Sequence, residues 1–198
     1  MITKLAEKCA AASVKGRIIP KEEEEFFVFA FALMLSQAFG LATCLIFGAI
    51  FQCLIESALY LLFFIPLRTF SGGFHTRKPL TCFISSILLF GFSIFLGVYL
   101  SALLPFLFFT LLFACCSLSV LFTAPAQDKN KPLSAPEVSK CRVKVKVILS
   151  LYSIIFAILC SFPQTRYYTV FIALAVATVA ILVGISKMMA MFEKKSAN

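Results

Sequence analysis

Two long apolar stretches constrain this chain more than any other feature. Residues 26–65 and 81–122 are each about forty residues long and carry a single charged side chain between them. A membrane-spanning helix needs about 20 apolar residues, so each stretch is long enough for two spans joined by a turn. The 198-residue chain is 61% hydrophobic, more than a soluble domain of this length can bury. We therefore predict an all-α, polytopic integral membrane helical bundle.

The order of the apolar runs predicts three helical hairpins. Gly40 and Gly48 bracket the region where the first stretch is expected to turn, and a break is expected near residues 101–105 of the second. The third hairpin would use two shorter runs, residues 147–162 and 169–186. The prediction is one membrane domain over residues 1–198 with about six hydrophobic segments. A four-span arrangement, in which one hairpin is re-entrant or interfacial, stays open.

The basic residues predict which way the bundle faces. With three hairpins, both termini and the loops at residues 66–80 and 123–146 share one side, which then holds every Lys and Arg except Arg166. The positive-inside rule makes that side cytoplasmic. The positive-inside rule explains the net charge of +9, because the basic residues lie in the predicted cytoplasmic loops and termini. No nucleic-acid partner is therefore predicted.

The first 25 residues are predicted to be a cytoplasmic or interfacial segment. They lack an apolar core, which argues against a cleavable signal peptide. An interfacial helix would place Ile2, Leu5, Cys9 and Ala12 on one face, and a frayed basic tail is the alternative. The carboxylates of residues 22–25 suit the N-terminus of the first spanning helix, where the helix dipole favours negative charge. A clamp for a basic substrate segment is the less favoured reading of these carboxylates.

One carboxylate interrupts the first apolar stretch. Gln52, Glu56 and Tyr60 are four residues apart and would share a helical face. Glu56 lies about 15 Å before Pro66 at a helical rise, which predicts a position near mid-bilayer. A carboxylate there is a functional-site candidate, and hydrogen-bonded packing against another helix is the alternative.

Small and polar residues are also predicted to share one face of the first helix in the second stretch. This face carries Cys82, Ser85, Ser86, Ser93 and Gly97 and should lie against other helices rather than lipid. Ser93 is predicted at a depth similar to that of Glu56, so that the two could meet.

The loop at residues 66–80 carries the residues with the clearest chemistry. His75, the only histidine of the chain, precedes Cys82 by seven residues. Cys82 would stand near the start of a helix, beside Arg77 and Lys78, and both features favour the nucleophilic thiolate. A Cys–His pair of this kind can perform acyl transfer.

The remaining residues of the loop suggest how such a pair would be supported. Gly72 and Gly73 allow backbone conformations that other residues avoid, and N–H groups in this segment could donate to an oxyanion. No metal site or cofactor is expected, because the eight cysteines lack the spacing of a zinc site and one histidine is too few.

The pattern Arg68-x-x-x-Gly72-Gly73-x-His75-x6-Cys82 resembles the signature of the accessory gene regulator B family. These are bacterial integral-membrane cysteine endopeptidases that process quorum-sensing propeptides. The proline-containing basic segment from Ala124 to Pro132 resembles that family's second loop, and the order of apolar runs is similar along nearly the whole chain.

The resemblance implies a role for each matching residue. His75 and Cys82 would be the catalytic pair, supported by Arg68, Gly72 and Gly73. Ser85, Ser86 and Glu56 are further candidates for lining a site shielded from water. The relatives' precursors have an amphipathic leader and an acidic tail, which Arg77, Lys78, Lys129 and Lys131 would attract.

The resemblance also implies a product, a location and partners. The enzyme would cleave the tail of a small precursor through a Cys82 thioester and promote closure of a thiolactone or lactone ring. It would be a multi-pass protein of the bacterial cell membrane, with the catalytic loop on the cytoplasmic side. Homodimerisation is expected as well, since a bundle this small has little room for a closed chamber. The alternatives are a small membrane transporter and a non-catalytic membrane scaffold.

Overall fold

The computed structural model describes residues 2–16, 19–72, 79–126 and 135–196. Within these ranges the chain forms seven α-helices, six of which are long and apolar enough to cross a membrane. The prediction of an all-α polytopic membrane protein is confirmed. The helices are α1 (Ile2–Lys15), α2 (Glu24–Ile50), α3 (Leu54–Ser71), α4 (Pro79–Leu103), α5 (Phe106–Thr123), α6 (Ala135–Ser161) and α7 (Arg166–Ser196). Short 3₁₀ turns at Lys21–Glu23 and Pro163–Thr165 precede α2 and α7.

The six long helices follow one another in the predicted order, and α2 packs against α3 and α6 against α7. Among the described residues, α4 and α5 do not pack as a hairpin, because α5 lies mainly against α7. The turns lie between α2 and α3, between α4 and α5, and between α6 and α7. The break expected near residues 101–105 is confirmed at Leu104 and Pro105, where α4 ends and α5 begins. The third hairpin is longer than its apolar runs suggested, because α6 begins within the basic segment.

The position of the first turn is the main correction to the predicted hairpins. The chain turns at residues 51–53, where Gln52 has a φ of 57°, and not between Gly40 and Gly48. Gly48 instead allows α2 and α3 to approach closely, since a Cβ atom there would lie 2.5 Å from Ser57 Oγ. Small residues at helix contacts commonly serve this purpose in membranes.

Helix α7 is the centre of the bundle. It packs against α3, α4, α5 and α6, and every residue from 169 to 179 is buried. A helix that is apolar all round is expected to be surrounded by protein or lipid. By contrast, α2 exposes large side chains such as Phe29, Ile46 and Ile50, which suit contact with lipid.

Helix α1 lies against α2 through its alanines. Ala6 and Ala10 are fully buried, whereas Leu5 and Ala12 are exposed. The prediction of a helix is confirmed, and the face that packs against α2 is not the one predicted to meet the membrane interface. Alanines let two helix backbones approach closely, so they form the contact and the larger Leu5 points away from it. At the start of α2, Glu24 and Glu25 occupy the first turn, as predicted.

Candidate active site

Helix α3 extends further than the sequence suggested, and this shortens the predicted catalytic loop. Pro66 lies inside the helix, which continues to Ser71. A proline has no N–H to bond the carbonyl four residues earlier, here that of Leu62. The Tyr152 hydroxyl of α6 donates to the Leu62 carbonyl oxygen at 3.4 Å, so the carbonyl keeps a partner. The described helix therefore includes residues that were expected in the loop.

Arg68 caps the C-terminal end of α3. It lies in the last turn, and its Nη1 atom donates to the carbonyl oxygen of Gly72. A cation at this end of a helix also interacts favourably with the helix dipole. Arg68 thereby shapes the chain where α3 ends, and its supporting role in catalysis stays a prediction.

Gly72 joins the two predicted cytoplasmic loops. Its φ of 68° and ψ of −153° belong to a region that is essentially restricted to glycine. It forms a parallel β-bridge with Ala126, and the Ala126 N–H donates to the Ser71 carbonyl oxygen at 2.9 Å. Within the described residues, this bridge fixes the segment after α3 beside the segment after α5.

Helix α6 contacts the same end of α3. The Nζ atom of Lys144 lies 4.6 Å from the centroid of the Phe70 ring, a cation–π contact. The helix begins at Ala135, inside the segment of residues 123–146 that was expected to be a loop. Lys144 is therefore presented by a helix and not by an irregular loop.

Helix α4 begins at Pro79, a position that suits proline because the first helical N–H has no partner within the helix. Cys82 is the fourth residue of that helix, but its side chain lies outside the described part of the structure. Six other predicted site residues also lie outside the described residues, and their roles stay predictions. They are Gly73, His75, Arg77, Lys78, Lys129 and Lys131.

The serine-bearing face of α4 divides into two parts. Ser85 and Ser86 are exposed, so the prediction that they face other helices is wrong. Ser93 is buried, and a Cβ atom at Gly97 would lie 2.7 Å from Phe171 Cε1, so the deeper half of the face packs as predicted. At this deeper level α4 contacts α7 directly, through Ser93 with Thr178 and Gly97 with Phe171.

Glu56 lies at the opposite end of α3 from Gly72, and the mid-bilayer position predicted for it is wrong. It stands in the first turn of α3, about 22 Å along the helix from Ser71, and Gln52 is in the preceding turn. The Tyr167 hydroxyl of α7 interacts electrostatically with Glu56. Ser93 bonds to Tyr60, one helical turn further along α3. The packing role considered for Glu56 fits this arrangement.

Sequence reasoning missed the residues that bring the loops together. Ser71 and Ala126 act through backbone atoms, so their side chains carry no signal of the contact. The aromatic Phe70 before the Gly72–Gly73 pair and the cations of residues 140–146 were visible, but nothing in the sequence paired Phe70 with Lys144.

Comparison with known proteins gives one match. The model of a family described as Accessory gene regulator B matches residues 3–187 of the chain. Neither the curated proteins nor the solved structures contain a match. The matched range covers all six candidate spans up to residue 187 and both loops described above.

Proposed function

The chain belongs to the accessory gene regulator B family, and from this membership we propose that it is a membrane-embedded cysteine endopeptidase. Family membership supports a role in processing quorum-sensing peptides, and the six candidate spans make the chain a multi-pass membrane protein. The proposed substrate is a small precursor peptide with an amphipathic leader and an acidic tail. The proposed product is a thiolactone or lactone ring.

The observation that carries the proposal is the bridge between Gly72 and Ala126. His75 follows Gly72 by three residues, and Lys129 follows Ala126 by three residues. At a maximum of about 3.6 Å per residue, each can be no more than about 11 Å from its end of the bridge. The bridge thus supports a shared site in which one segment supplies the chemistry and the other holds the substrate.

The start of α4 at Pro79 supports Cys82 as the nucleophile. Unpaired N–H groups at the beginning of a helix give that end a partial positive charge, which favours a thiolate close by. Arg77 and Lys78 immediately precede the helix and add positive charge. A thiolate at this position attacks a peptide carbonyl far better than a neutral thiol does.

The proposed reaction has two halves. His75 takes the proton of the Cys82 thiol, the sulfur attacks the carbonyl at the junction with the tail, and the C–N bond breaks as His75 protonates the leaving amine. The precursor is then bound as a Cys82 thioester. A thiol or hydroxyl within the precursor then attacks the thioester carbonyl while His75 takes its proton. The C–S bond to Cys82 breaks, Cys82 leaves as a thiolate, and the ring closes.

Water must be kept from the thioester, because hydrolysis would release a linear peptide. Ser85 and Ser86 are exposed on α4 within about one turn of Cys82. We assign them contact with the bound precursor, which would cover this surface during the reaction. Glu56 is not included, since it lies near the other end of α3.

The charge distribution supports cytoplasmic placement of this site. The two segments joined at Gly72 and Ala126, together with the N-terminal part of α6, hold most of the basic residues between the termini. The positive-inside rule then favours the cytoplasmic side. Arg77, Lys78, Lys129 and Lys131 would attract an acidic tail electrostatically. A homodimer would supply further walls for the site.

The test uses a candidate precursor co-expressed with the wild type, Cys82→Ala or His75→Ala. We expect tail release only with the wild type, and a precursor fragment bound to Cys82 when ring closure is blocked. Cys115→Ala, which changes an exposed cysteine on α5, is the matched control and should retain full processing. Undiminished cleavage by Cys82→Ala would defeat the peptidase proposal and leave the transporter and scaffold alternatives.

A further inference from the structure

Three hydroxyl groups from three helices meet inside the bundle. The Tyr60 hydroxyl of α3 donates to Thr178 Oγ1 of α7 at 3.1 Å and lies 3.3 Å from Ser93 Oγ of α4. The Ser93 and Thr178 oxygens are 3.5 Å apart. All three residues are buried, Tyr60 to 1% exposure. We call this group the hydroxyl cluster.

The cluster sits where α4 is held most firmly by described contacts. The Phe90 ring packs edge-to-face on the Tyr60 ring, with centroids 5.7 Å apart. One turn beyond Ser93, Gly97 lies directly against Phe171 of α7. Towards the other end of α4, residues 84–86 are exposed. Contacts with α3 and α7 therefore hold α4 from residue 90 onward, whereas residues 84–86 are exposed.

Helical periodicity relates the cluster to Cys82. Residues 82 and 93 are eleven positions apart, which is close to three full turns, so they occupy the same side of α4. The axial distance between them is about 16 Å. The rotation of α4 that directs Ser93 towards Tyr60 and Thr178 therefore also determines the direction in which position 82 faces.

We propose that Tyr60, Ser93 and Thr178 are positioning residues that set the rotation and tilt of α4 and thereby align Cys82 with the His75 segment. The inference rests on the proposed function for its catalytic consequence. The cluster does not touch the substrate. It acts through the rigid helix between residues 93 and 82.

The geometry makes the alignment sensitive to small changes. A tilt of 10° about Ser93 moves position 82 by about 3 Å, given the helical rise. Misplacement of a reacting group by about 1 Å can cost about 100-fold in rate. Loss of one buried hydrogen bond can thus reduce catalysis strongly while the bundle remains folded. Hydrogen bonds are directional, so those between the hydroxyls of α3, α4 and α7 favour one rotation of α4.

The first experiment measures tail release by purified, reconstituted protein with Tyr60→Phe and with Thr178→Val. Both changes keep side-chain volume nearly constant and remove a hydroxyl of the cluster. We expect kcat to fall at least 10-fold while KM stays within twofold, since substrate contacts are unchanged. Ser93→Thr, which retains a hydroxyl, should retain more activity than Ser93→Ala.

Thr169→Val is the matched control. Thr169 is buried on the same helix as Thr178, but among the hydrogen bonds of the described residues its Oγ1 donates only within its own helix, to the Arg166 carbonyl oxygen. It should lose no more than twofold in kcat. Equal losses for Thr169→Val and Thr178→Val, in step with their unfolding temperatures, would reduce the cluster to ordinary packing and overturn the proposal.

A second measurement does not depend on cleavage. The alkylation rate of Cys82 by iodoacetamide is followed against pH, with the modified peptide identified by mass spectrometry. Tyr60→Phe and Thr178→Val should shift the Cys82 profile to higher pH and leave that of exposed Cys115 unchanged, because the thiol loses its alignment with His75. If no precursor is cleaved but the shift occurs, the proposed function fails and the positioning role stands. Unchanged profiles together with unchanged kcat would refute the positioning role.

Discussion

A Cβ atom at Gly72 would lie 2.2 Å from the carbonyl oxygen of Ala126. Contacts this short do not occur, so the two segments can meet in this way only if residue 72 has no side chain. The positive φ of Gly72 imposes the same requirement independently. A backbone contact between residues 54 positions apart therefore depends on one glycine.

Gly72→Ala should separate the two segments and reduce processing by at least about 10-fold, since the backbone strain alone is of order 1–3 kcal/mol. The rate of tail release in reconstituted vesicles measures the effect. Gly184→Ala is the control, because nothing lies within 4 Å of a Cβ atom at that position of α7. A Gly72→Ala protein that processes the precursor at the wild-type rate would show that the bridge is dispensable.

Ala126→Pro tests the same contact from the other segment. It removes the N–H that donates to the Ser71 carbonyl oxygen, whereas Ala126→Gly keeps it. We expect the proline variant to lose most of its processing activity and the glycine variant to retain most. If both variants behave alike, the hydrogen bond does not hold the segments together. The comparison uses steady-state cleavage at matched protein levels in the membrane.

Gly97→Ala should destabilise the bundle, because its Cβ atom would approach the Phe171 ring to 2.7 Å. The expected cost is about 1–3 kcal/mol, typical of overpacking. Gly91→Ala on the same helix meets only Phe47 Cζ at 3.7 Å and should be neutral or slightly stabilising. Thermal unfolding in detergent compares the two. A lower unfolding temperature for Gly91→Ala than for Gly97→Ala would contradict the packing of α4 against α7.

Reversing the charge of Lys129 and Lys131 to glutamate should slow processing of an acidic-tailed precursor, because attraction becomes repulsion. The slowing should lessen as salt is added, since salt screens exposed charges. A precursor whose tail acids are replaced by amides is the control and should be processed at a similar rate by both proteins. No change with the acidic-tailed precursor would remove electrostatic tail capture from the proposal.

Single cysteines introduced at Lys140 and Gln164 report the orientation of the bundle. Lys140 is exposed near the start of α6, and Gln164 is exposed in the turn before α7, at the other end of the hairpin. A membrane-impermeant maleimide added to intact cells should label position 164 and leave position 140 unlabelled until the membrane is opened. The reverse pattern would place the site outside the cell.

The spans were predictable because their cause is local. Each apolar stretch is long enough for two spans, and Pro105 marks the second turn directly. The first turn was misplaced because Gly40 and Gly48 resemble turn residues, while the actual turn at Gln52 uses a positive φ in a residue other than glycine. Local propensity could not show that Gly48 is needed for contact with Ser57.

The residue types of the candidate site were predictable, but the helix ends and contacts that position them were not. The single histidine, the nearby cysteine and the glycine pair are visible in the sequence. The continuation of α3 past Pro66 was not, because it uses a hydroxyl from α6. Glu56 was misplaced for a related reason, since the depth assigned to it assumed that the helix ended at Pro66.

The sequence by itself determined the membrane class, the order of the apolar segments and the family, because apolar length and motif spacing are properties of nearby residues. Only the tertiary structure decided which helices meet. Contacts such as Gly72 with Ala126, or Tyr60 with Thr178, join residues 54 and 118 positions apart. Such pairs depend on close packing and on hydrogen bonds between helices, and no local pattern encodes either.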